Sequence, residues 1–148
     1  MVKIDVDKMF YQKKPLCSKI YNMKDNNCVF CKIVAGEIPA EKVYEDANFL
    51  AFLDIRPLSP GHTLVIPKEH YRWVWDVPNA GEYFEVAKKI ALAQKKAFNI
   101  DMVRCQIVGE EVPHAHIWVI PDPKTTKGDK DDFKGNTEKI IRVLNTNF

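Results

Sequence analysis

One segment of the sequence has a sustained helical period, with apolar residues recurring at alternating spacings of three and four residues. It runs from Asn79 to about Asn99. Lys88 and Lys95 fall on the opposite side, as a solvated face requires. The pattern therefore predicts one long helix with a single buried face. That face consists of Tyr83, Val86, Ile90, Ala93 and Ala97.

Short apolar runs bounded by turn residues predict several β-strands. The connection at Gly109–Glu111 is short, so the last two strands are expected to pair as an antiparallel hairpin. After a polar stretch at 121–136, expected to be a mobile loop, Thr137 is expected to cap a short C-terminal helix through Leu144. Runs of strands with one long helix between them indicate an α+β fold with an antiparallel sheet. The predicted strands are Lys42 to Glu45, Asn48 to Asp54, His62 to Ile66, Met102 to Val108 and Val112 to Pro121.

The composition indicates an ordinary globular domain and gives no sign of a nucleic-acid or membrane partner. Of 148 residues, 22 are basic and 20 are acidic, and the basic residues are scattered along the chain. No apolar stretch has the length that spans a bilayer, and the first residues lack the apolar core of a secretory signal. We therefore expect a cytoplasmic protein with one domain at 28–148, preceded by an extension at 1–27.

The most informative segment is the predicted strand from Val112 to Pro121, which contains two histidines. Side chains alternate between the two faces of a strand, so His114, His116 and Trp118 are expected to share one face. Two neighbouring buried imidazoles lose hydration unless a metal, a phosphate or a hydrogen-bond partner compensates. A lone histidine is more often a satisfied core residue. The pairing of His114 with His116 instead favours a functional role for these side chains, such as binding a metal or a phosphate.

His116 is the candidate nucleophile. A neutral imidazole attacks phosphorus when one ring nitrogen is free and the other donates to a fixed acceptor, often a backbone carbonyl. A rigid strand is a good support for such a ring.

Cys28 and Cys31 form a CxxC pair, the commonest spacing for two zinc-binding thiolates. No second CxxC exists, so completing the site falls to histidines, for which His70 and His114 are candidates. Four protein ligands leave no open position, so the zinc would be structural. The alternative is two ordinary cysteines without a metal. A thioredoxin-like redox role is weaker, because no strand–helix pattern accompanies the pair.

Two further positions are candidates for substrate contacts. Gly109 allows close backbone approach, and the N–H groups from Gly109 to Glu111 are a candidate phosphate cradle, although two glutamates in that turn disfavour an anion. Asp54 follows a very apolar run, where a carboxylate accepts both hydroxyls of a ribose in other nucleotide sites. From spacing alone, a turn-capping role before Pro57 explains Asp54 better.

Taken together, four segments resemble the histidine-triad (HIT) superfamily of nucleotide hydrolases and transferases, and they appear in that family's order. The resemblance covers roughly residues 28 to 121. The segments are Cys28-Val-Phe-Cys-Lys-Ile-Val-Ala-Gly-Glu-Ile-Pro39, Phe52-Leu-Asp-Ile-Arg-Pro57, Pro60-Gly-His-Thr-Leu-Val-Ile-Pro-Lys-Glu-His70 and Val112-Pro-His-Ala-His116.

The resemblance implies an antiparallel sheet with a long helix, assembled as a homodimer, and hydrolysis of a purine nucleotide derivative. His116 would attack the α-phosphate of a phosphoramidate or polyphosphate, and water would resolve the nucleotidyl-histidine. Asp54 would hold the ribose and His62 would lie near the phosphate. The resemblance also implies that zinc is bound by Cys28, Cys31, His70 and His114. The base pocket would be lined by Phe30, Ile33, Leu53 and Ile55.

The sequence departs from the family pattern at three places. Trp118 replaces the third histidine of the triad, and an indole donates one hydrogen bond but neither accepts one nor carries charge. The loop before the signature is short, and Glu110 stands where a glutamine is common. The first 27 residues have no counterpart in the minimal pattern.

Three hypotheses follow. The first is a zinc-containing hydrolase that acts through His116. The second is a non-catalytic nucleotide- or zinc-binding module, in which Trp118 marks the lost activity. The third is a nucleotidyltransferase, which shares the covalent intermediate but passes the nucleotide to an acceptor other than water.

Overall fold

The structure is a computed structural model that describes residues 25–147 of the chain. Residues 1–24, and with them most of the predicted extension at 1–27, lie outside the described residues. Within the described part, no helix is both long and apolar enough to cross a membrane. The helices are α1 Val29–Val34, α2 Ala80–Phe98 and α3 Phe133–Asn147, with a 3₁₀ turn at Val74–Asp76. The strands are β1 Lys42–Glu45, β2 Phe49–Leu53, β3 Thr63–Pro67, β4 Val103–Gln106 and β5 Ile117–Pro121.

The five strands form one antiparallel sheet in the order β1-β2-β3-β5-β4. This confirms the predicted α+β class and the pairing of the last two strands. The predicted long helix is also confirmed as α2, and it ends where Asn99 adopts a left-handed conformation (φ 50°).

The central strands β2 and β3 are covered on both faces of the sheet, which explains why every one of their residues is buried. One face packs on α2 and α3 through side chains such as Phe49, Ala51 and Leu53. The other face packs on α1, and Leu50 and Phe52 point into that second cluster with Phe30. The side chains of β2 therefore alternate between two separate cores.

The C-terminal helix corrects the prediction that Thr137 caps it. The helix begins at Phe133, and Thr137 lies buried inside it. Asp132 is the residue at the cap position, because its Oδ1 accepts a hydrogen bond from the backbone N–H of Gly135 (3.0 Å). The last four residues of the stretch predicted to be a loop, 133–136, are therefore helical.

The predicted strand from Val112 to Pro121 is also too long, because β5 begins only at Ile117. His114 and His116 precede it, in a segment that turns on itself where the His114 N–H donates to the Val112 carbonyl (2.8 Å). The Ala115 N–H donates to the carbonyl of Tyr71 (2.7 Å), a residue of the connection after β3. These bonds take the place of strand pairing.

Candidate functional site

A cavity of about 300 Å³ opens between α1, the ends of β2 and β3, and the connection from β4 to β5. Most of its wall is apolar, which suits a flat aromatic group. Its polar side chains lie at one end, where two loops and the start of β5 meet. The apolar wall includes Phe30, Ile33, Ile38, Phe52 and Leu64. The polar side chains are Asp54, Arg56, Glu110, Glu111, His116 and Trp118.

His116 lines this cavity with a fixed ring orientation. Its Nδ1 lies 2.7 Å from the carbonyl oxygen of His114, and because a carbonyl only accepts, Nδ1 carries the proton. In the neutral form of the ring, this contact leaves the lone pair on the other nitrogen, Nε2. The edge of the Phe30 ring (5.3 Å between centroids) and the indole of Trp118 (6.5 Å, 27° between ring planes) flank the imidazole. A ring held in this way has the geometry that nucleophilic catalysis requires.

Asp54 plays the turn-capping role and still faces the cavity. Its Oδ1 accepts the backbone N–H of Arg56 (2.8 Å), which fixes the carboxylate at the end of β2. Its Oδ2 lies 3.9 Å from Nε2 of His62. The carboxylate therefore retains acceptor capacity toward the cavity.

His62 is buried beside the cavity and is not part of its lining. The Leu58 N–H points to its Nδ1 (3.3 Å), so the ring proton lies on Nε2, which has no hydrogen-bond partner among the described residues. Burial lowers the pKa of His62, while the nearby Asp54 carboxylate raises it. The ring meets Trp118 edge-on, with 5.4 Å between centroids.

The CxxC pair and two histidines form a compact cluster behind the cavity. Their ligand atoms all lie within 4.8 Å of one another. The Cys31 Sγ is 3.2 Å from Nδ1 of His70 and 3.5 Å from Nδ1 of His114. A tetrahedral zinc ion separates a sulfur from a nitrogen ligand by about 3.6 Å, so these spacings fit such an ion.

The chemistry of the four side chains fits a metal as well. The Nε2–H of His114 donates to the Pro67 carbonyl (2.9 Å), which turns the lone pair of Nδ1 toward the thiols, as in many metal-binding histidines. Burial lowers the pKa of His114 to about 4, so the ring is neutral at physiological pH. Burial also raises the pKa of the Cys31 thiol to about 11, and a bound cation reverses that cost by stabilising the thiolate.

The connection from β4 to β5 forms the polar rim of the cavity. Gly109 has φ +74°, a conformation that favours glycine. The Glu111 carboxylate is paired with the guanidinium of Arg56 across the mouth (2.5 Å). The pairing offsets one of the two negative charges that disfavour an anion in this turn.

Most of the residues predicted from the sequence meet at these two neighbouring sites. Leu53 does not, because strand alternation turns it toward α2 and brings Phe52 to the cavity instead. Arg56 was missed as a site residue, although it is a cation next to the predicted Asp54. The predicted residues that line the cavity are Phe30, Ile33, Asp54, Ile55, Gly109, Glu111, His116 and Trp118.

The chain is similar to proteins of one family along most of its length. A family model described as "HIT domain" matches residues 35–125. An uncharacterized HIT-like protein of Methanocaldococcus jannaschii is 44% identical over 100 residues, covering 64% of this chain and 78% of the relative. An adenosine 5'-monophosphoramidase of Schizosaccharomyces pombe is 39% identical over 105 residues, covering 69% and 79%.

A solved structure carries the same likeness. The zinc-bound histidine triad family protein of Mycobacterium smegmatis superposes with a TM-score of 0.70 at 34% identity, covering 80% of this chain and 94% of that one.

Proposed function

The chain belongs to the HIT-domain family, and on this premise we propose that it is a nucleotide hydrolase that cleaves a nucleoside phosphoramidate or polyphosphate at the α-phosphate. The observation that carries the proposal is the ring of His116, which is held through Nδ1 by the carbonyl of His114 and lines the cavity. The relative that is a phosphoramidase supports the same class of reaction.

The proposed reaction has two steps at phosphorus. In the first, Nε2 of His116 forms a bond to the α-phosphorus while the bond to the leaving group breaks, and a departing amine takes up a proton from solvent. The positive charge that develops on the imidazole is stabilised by the His114 carbonyl at Nδ1. In the second, water attacks phosphorus and gives up a proton to solvent, the electron pair of the P–N bond returns to Nε2 of His116, and a nucleoside monophosphate leaves. The covalent intermediate is part of the proposal.

We assign the parts of the nucleotide to different walls of the cavity. A purine base fits against the apolar wall of Phe30, Ile33 and Phe52, and the Asp54 carboxylate accepts hydrogen bonds from the ribose hydroxyls. Backbone N–H groups of the turn at Gly109–Glu111 and the Arg56 guanidinium then lie at the phosphate end. His62 is proposed to act near the phosphate through its unpartnered Nε2–H.

The cluster of Cys28, Cys31, His70 and His114 is proposed to hold one zinc ion per chain. With four protein ligands the ion is structural, joining the start of α1 to the segment after β3 and the segment before β5. The zinc-bound structural relative supports this identity of the metal. Elemental analysis of protein purified without chelator is expected to give one zinc per chain, and a value near zero would contradict the proposal.

We also propose that two copies form a homodimer. The edge strand β4 has one paired side and mostly exposed residues, so a second chain has access to its other side. Light scattering coupled to size exclusion is expected to give twice the mass of the chain. A monomer mass at micromolar concentration would contradict this assembly.

The decisive experiment compares wild type with His116→Ala on adenosine 5'-phosphoramidate. Wild type is expected to release AMP and His116→Ala to release none, because His116 is the one histidine among the described residues that line the cavity. His70→Ala is not a suitable control because it alters the metal cluster, so the matched control is Lys95→Ala on the far face of α2. Equal turnover by His116→Ala would remove the assigned nucleophile.

A non-catalytic binding module is the second candidate, favoured by Trp118 in place of the third triad histidine. Calorimetry that shows AMP binding, with no product from phosphoramidate, dinucleoside polyphosphate or adenylylsulfate, would support it. A nucleotidyl adduct on His116 in acid-quenched protein would exclude it. A transferase shares that adduct and is separated from the hydrolase by a screen of acceptors other than water.

A further inference from the structure

Four consecutive residues, His70 to Trp73, connect the metal cluster to the wall of the cavity. His70 contacts the Cys31 thiol (3.2 Å), and the carbonyl of Tyr71 accepts the Ala115 N–H (2.7 Å). These two contacts tie the start of the segment to the cluster and to the backbone between His114 and His116. The other end of the segment meets a different part of the site.

Arg72 reaches the rim of the cavity. Its Nη1 donates to the carbonyl of Gly109 (2.8 Å), a residue 37 positions away in the chain. The guanidinium carbon also lies over the Trp73 ring, 3.7 Å from the centroid, and this cation–π contact restrains the group. A charged, planar donor held by an indole is a rigid support for a single carbonyl.

Gly109 fits against this support with no space to spare. A Cβ at this position would come within 2.8 Å of the Trp73 ring, and its backbone has φ +74°. The turn from Gly109 to Val112 lines the cavity, so the orientation of its N–H groups depends on where that carbonyl is held. Arg72 itself does not line the cavity.

We propose that Arg72 is a positioning residue, which transmits the order of the metal cluster through the His70–Trp73 segment to the turn at Gly109–Val112. This inference rests on the proposed metal site and on the proposed hydrolase activity. When the cluster holds its ion, His70 is fixed and Arg72 is held within hydrogen-bond distance of the Gly109 carbonyl. The N–H groups of the turn then face the phosphate end of the cavity. Loss of the ion or of the guanidinium then disorders the same turn.

The primary test is hydrogen exchange of a peptide covering residues 107–113, in zinc-loaded protein. Arg72→Ala is expected to speed exchange of the amides at 109–112 about tenfold, since one hydrogen bond from a charged donor is lost, with zinc content unchanged. Extracting zinc from wild type is expected to give a similar increase in the exchange rate. Extracting zinc from Arg72→Ala is expected to raise the exchange rate of this peptide little further. The matched control is Arg142→Ala, an exposed arginine on α3.

Kinetics give the second readout. Arg72→Ala is expected to lower kcat/KM for the phosphoramidate about tenfold, and millimolar guanidinium ion is expected to restore part of that loss. Arg72→Lys keeps the charge but not the planar guanidinium, so its kcat/KM is expected to stay below that of wild type. Gly109→Ala is expected to cause a comparable loss, and the double variant to be no worse than either single one.

Three results would overturn the inference. Unchanged exchange at 109–112 in Arg72→Ala would show that the carbonyl contact does not order the turn. Loss of zinc in Arg72→Ala would show that Arg72 supports the cluster instead. Unchanged exchange on zinc extraction from wild type would break the link to the metal. The exchange data decide these points even if wild type releases no AMP, so failure of the proposed activity remains distinguishable.

Discussion

Removing the metal is expected to destabilise the fold by an amount that follows from the positions of its ligands. Cys28 and His114 are 86 residues apart in the chain, and their ligand atoms meet at 3.5 Å. A covalent cross-link over such a loop restricts the unfolded chain by about 4–5 kcal/mol, and a tight metal clip acts in the same way. The proposed ion is therefore expected to contribute at most about 4–5 kcal/mol to the free energy of unfolding.

The value is an upper bound for two reasons that the structure shows. The thiol of Cys31 and the ring of His70 can still contact each other without an ion (3.2 Å), so their polar groups keep a partner. The apolar cluster around Phe30 and Leu50 also persists without a metal. At about 4 °C per kcal/mol for a domain of this size, the midpoint of thermal unfolding is expected to fall by about 10–20 °C.

The assay is calorimetric unfolding of zinc-loaded and chelator-treated protein, followed by re-addition of zinc. Zinc is expected to restore the midpoint and magnesium is not, because thiolates and imidazoles select the softer ion. Cys28→Ser is expected to reproduce the metal-free midpoint, and Cys105→Ser, at an exposed cysteine outside the cluster, to leave it unchanged. A metal-free midpoint within about 3 °C of the loaded one would refute the reasoning from loop closure.

Three further outcomes are expected. Gln94→Leu should lower the free energy of unfolding by about 2–4 kcal/mol in a urea titration. The buried amide donates to the carbonyls of Gly61 (2.9 Å) and Val119 (3.0 Å), and both carbonyls lose that partner. A loss below about 1 kcal/mol would contradict this role. Glu111→Gln should lower KM for an anionic nucleotide severalfold at low salt, because it frees the Arg56 guanidinium from its partner. The free energy of unfolding should change by less than about 1 kcal/mol, because the pair is exposed. An unchanged KM would count against Arg56 as a phosphate contact. Burial holds the pKa of His62 below 6.5, so the unfolded chain binds the extra proton and stability should fall as the pH drops below about 6.5, less so in His62→Gln; identical pH dependence in both proteins would contradict it.

The sequence predicts the long helix and the central strands well, because the apolar patterns of these elements are local. Helix α2 repeats its apolar face over several turns, and the strands of the central sheet are short apolar runs between turn residues. The short helix α1 was not predicted, since six residues are too few to establish a period. Placing Cys28 at its N-cap and Cys31 on its first turn required the structure.

The misplaced boundaries have non-local causes. The alternating pattern continues through His114 and His116, but β5 starts only at Ile117 because the backbone before it bonds to Tyr71 rather than to a neighbouring strand. The contact between Arg72 and Gly109 is likewise set by tertiary packing, and no spacing rule indicates it. The composition of the metal cluster was predicted, since ligand type and CxxC spacing carry that information in the sequence itself.

Because the side chains of β2 alternate between two cores, a residue that lines the cavity and a residue of the helix-covered core are neighbours in the chain. Phe52 contacts the cavity, while Leu53, next to it in the chain, belongs to the helical side. Redesign of the cavity wall can therefore vary position 52 while the odd-numbered positions of the strand stay fixed. Variant libraries built on that parity should retain expression and thermal tolerance far better than libraries that randomise the strand as a block.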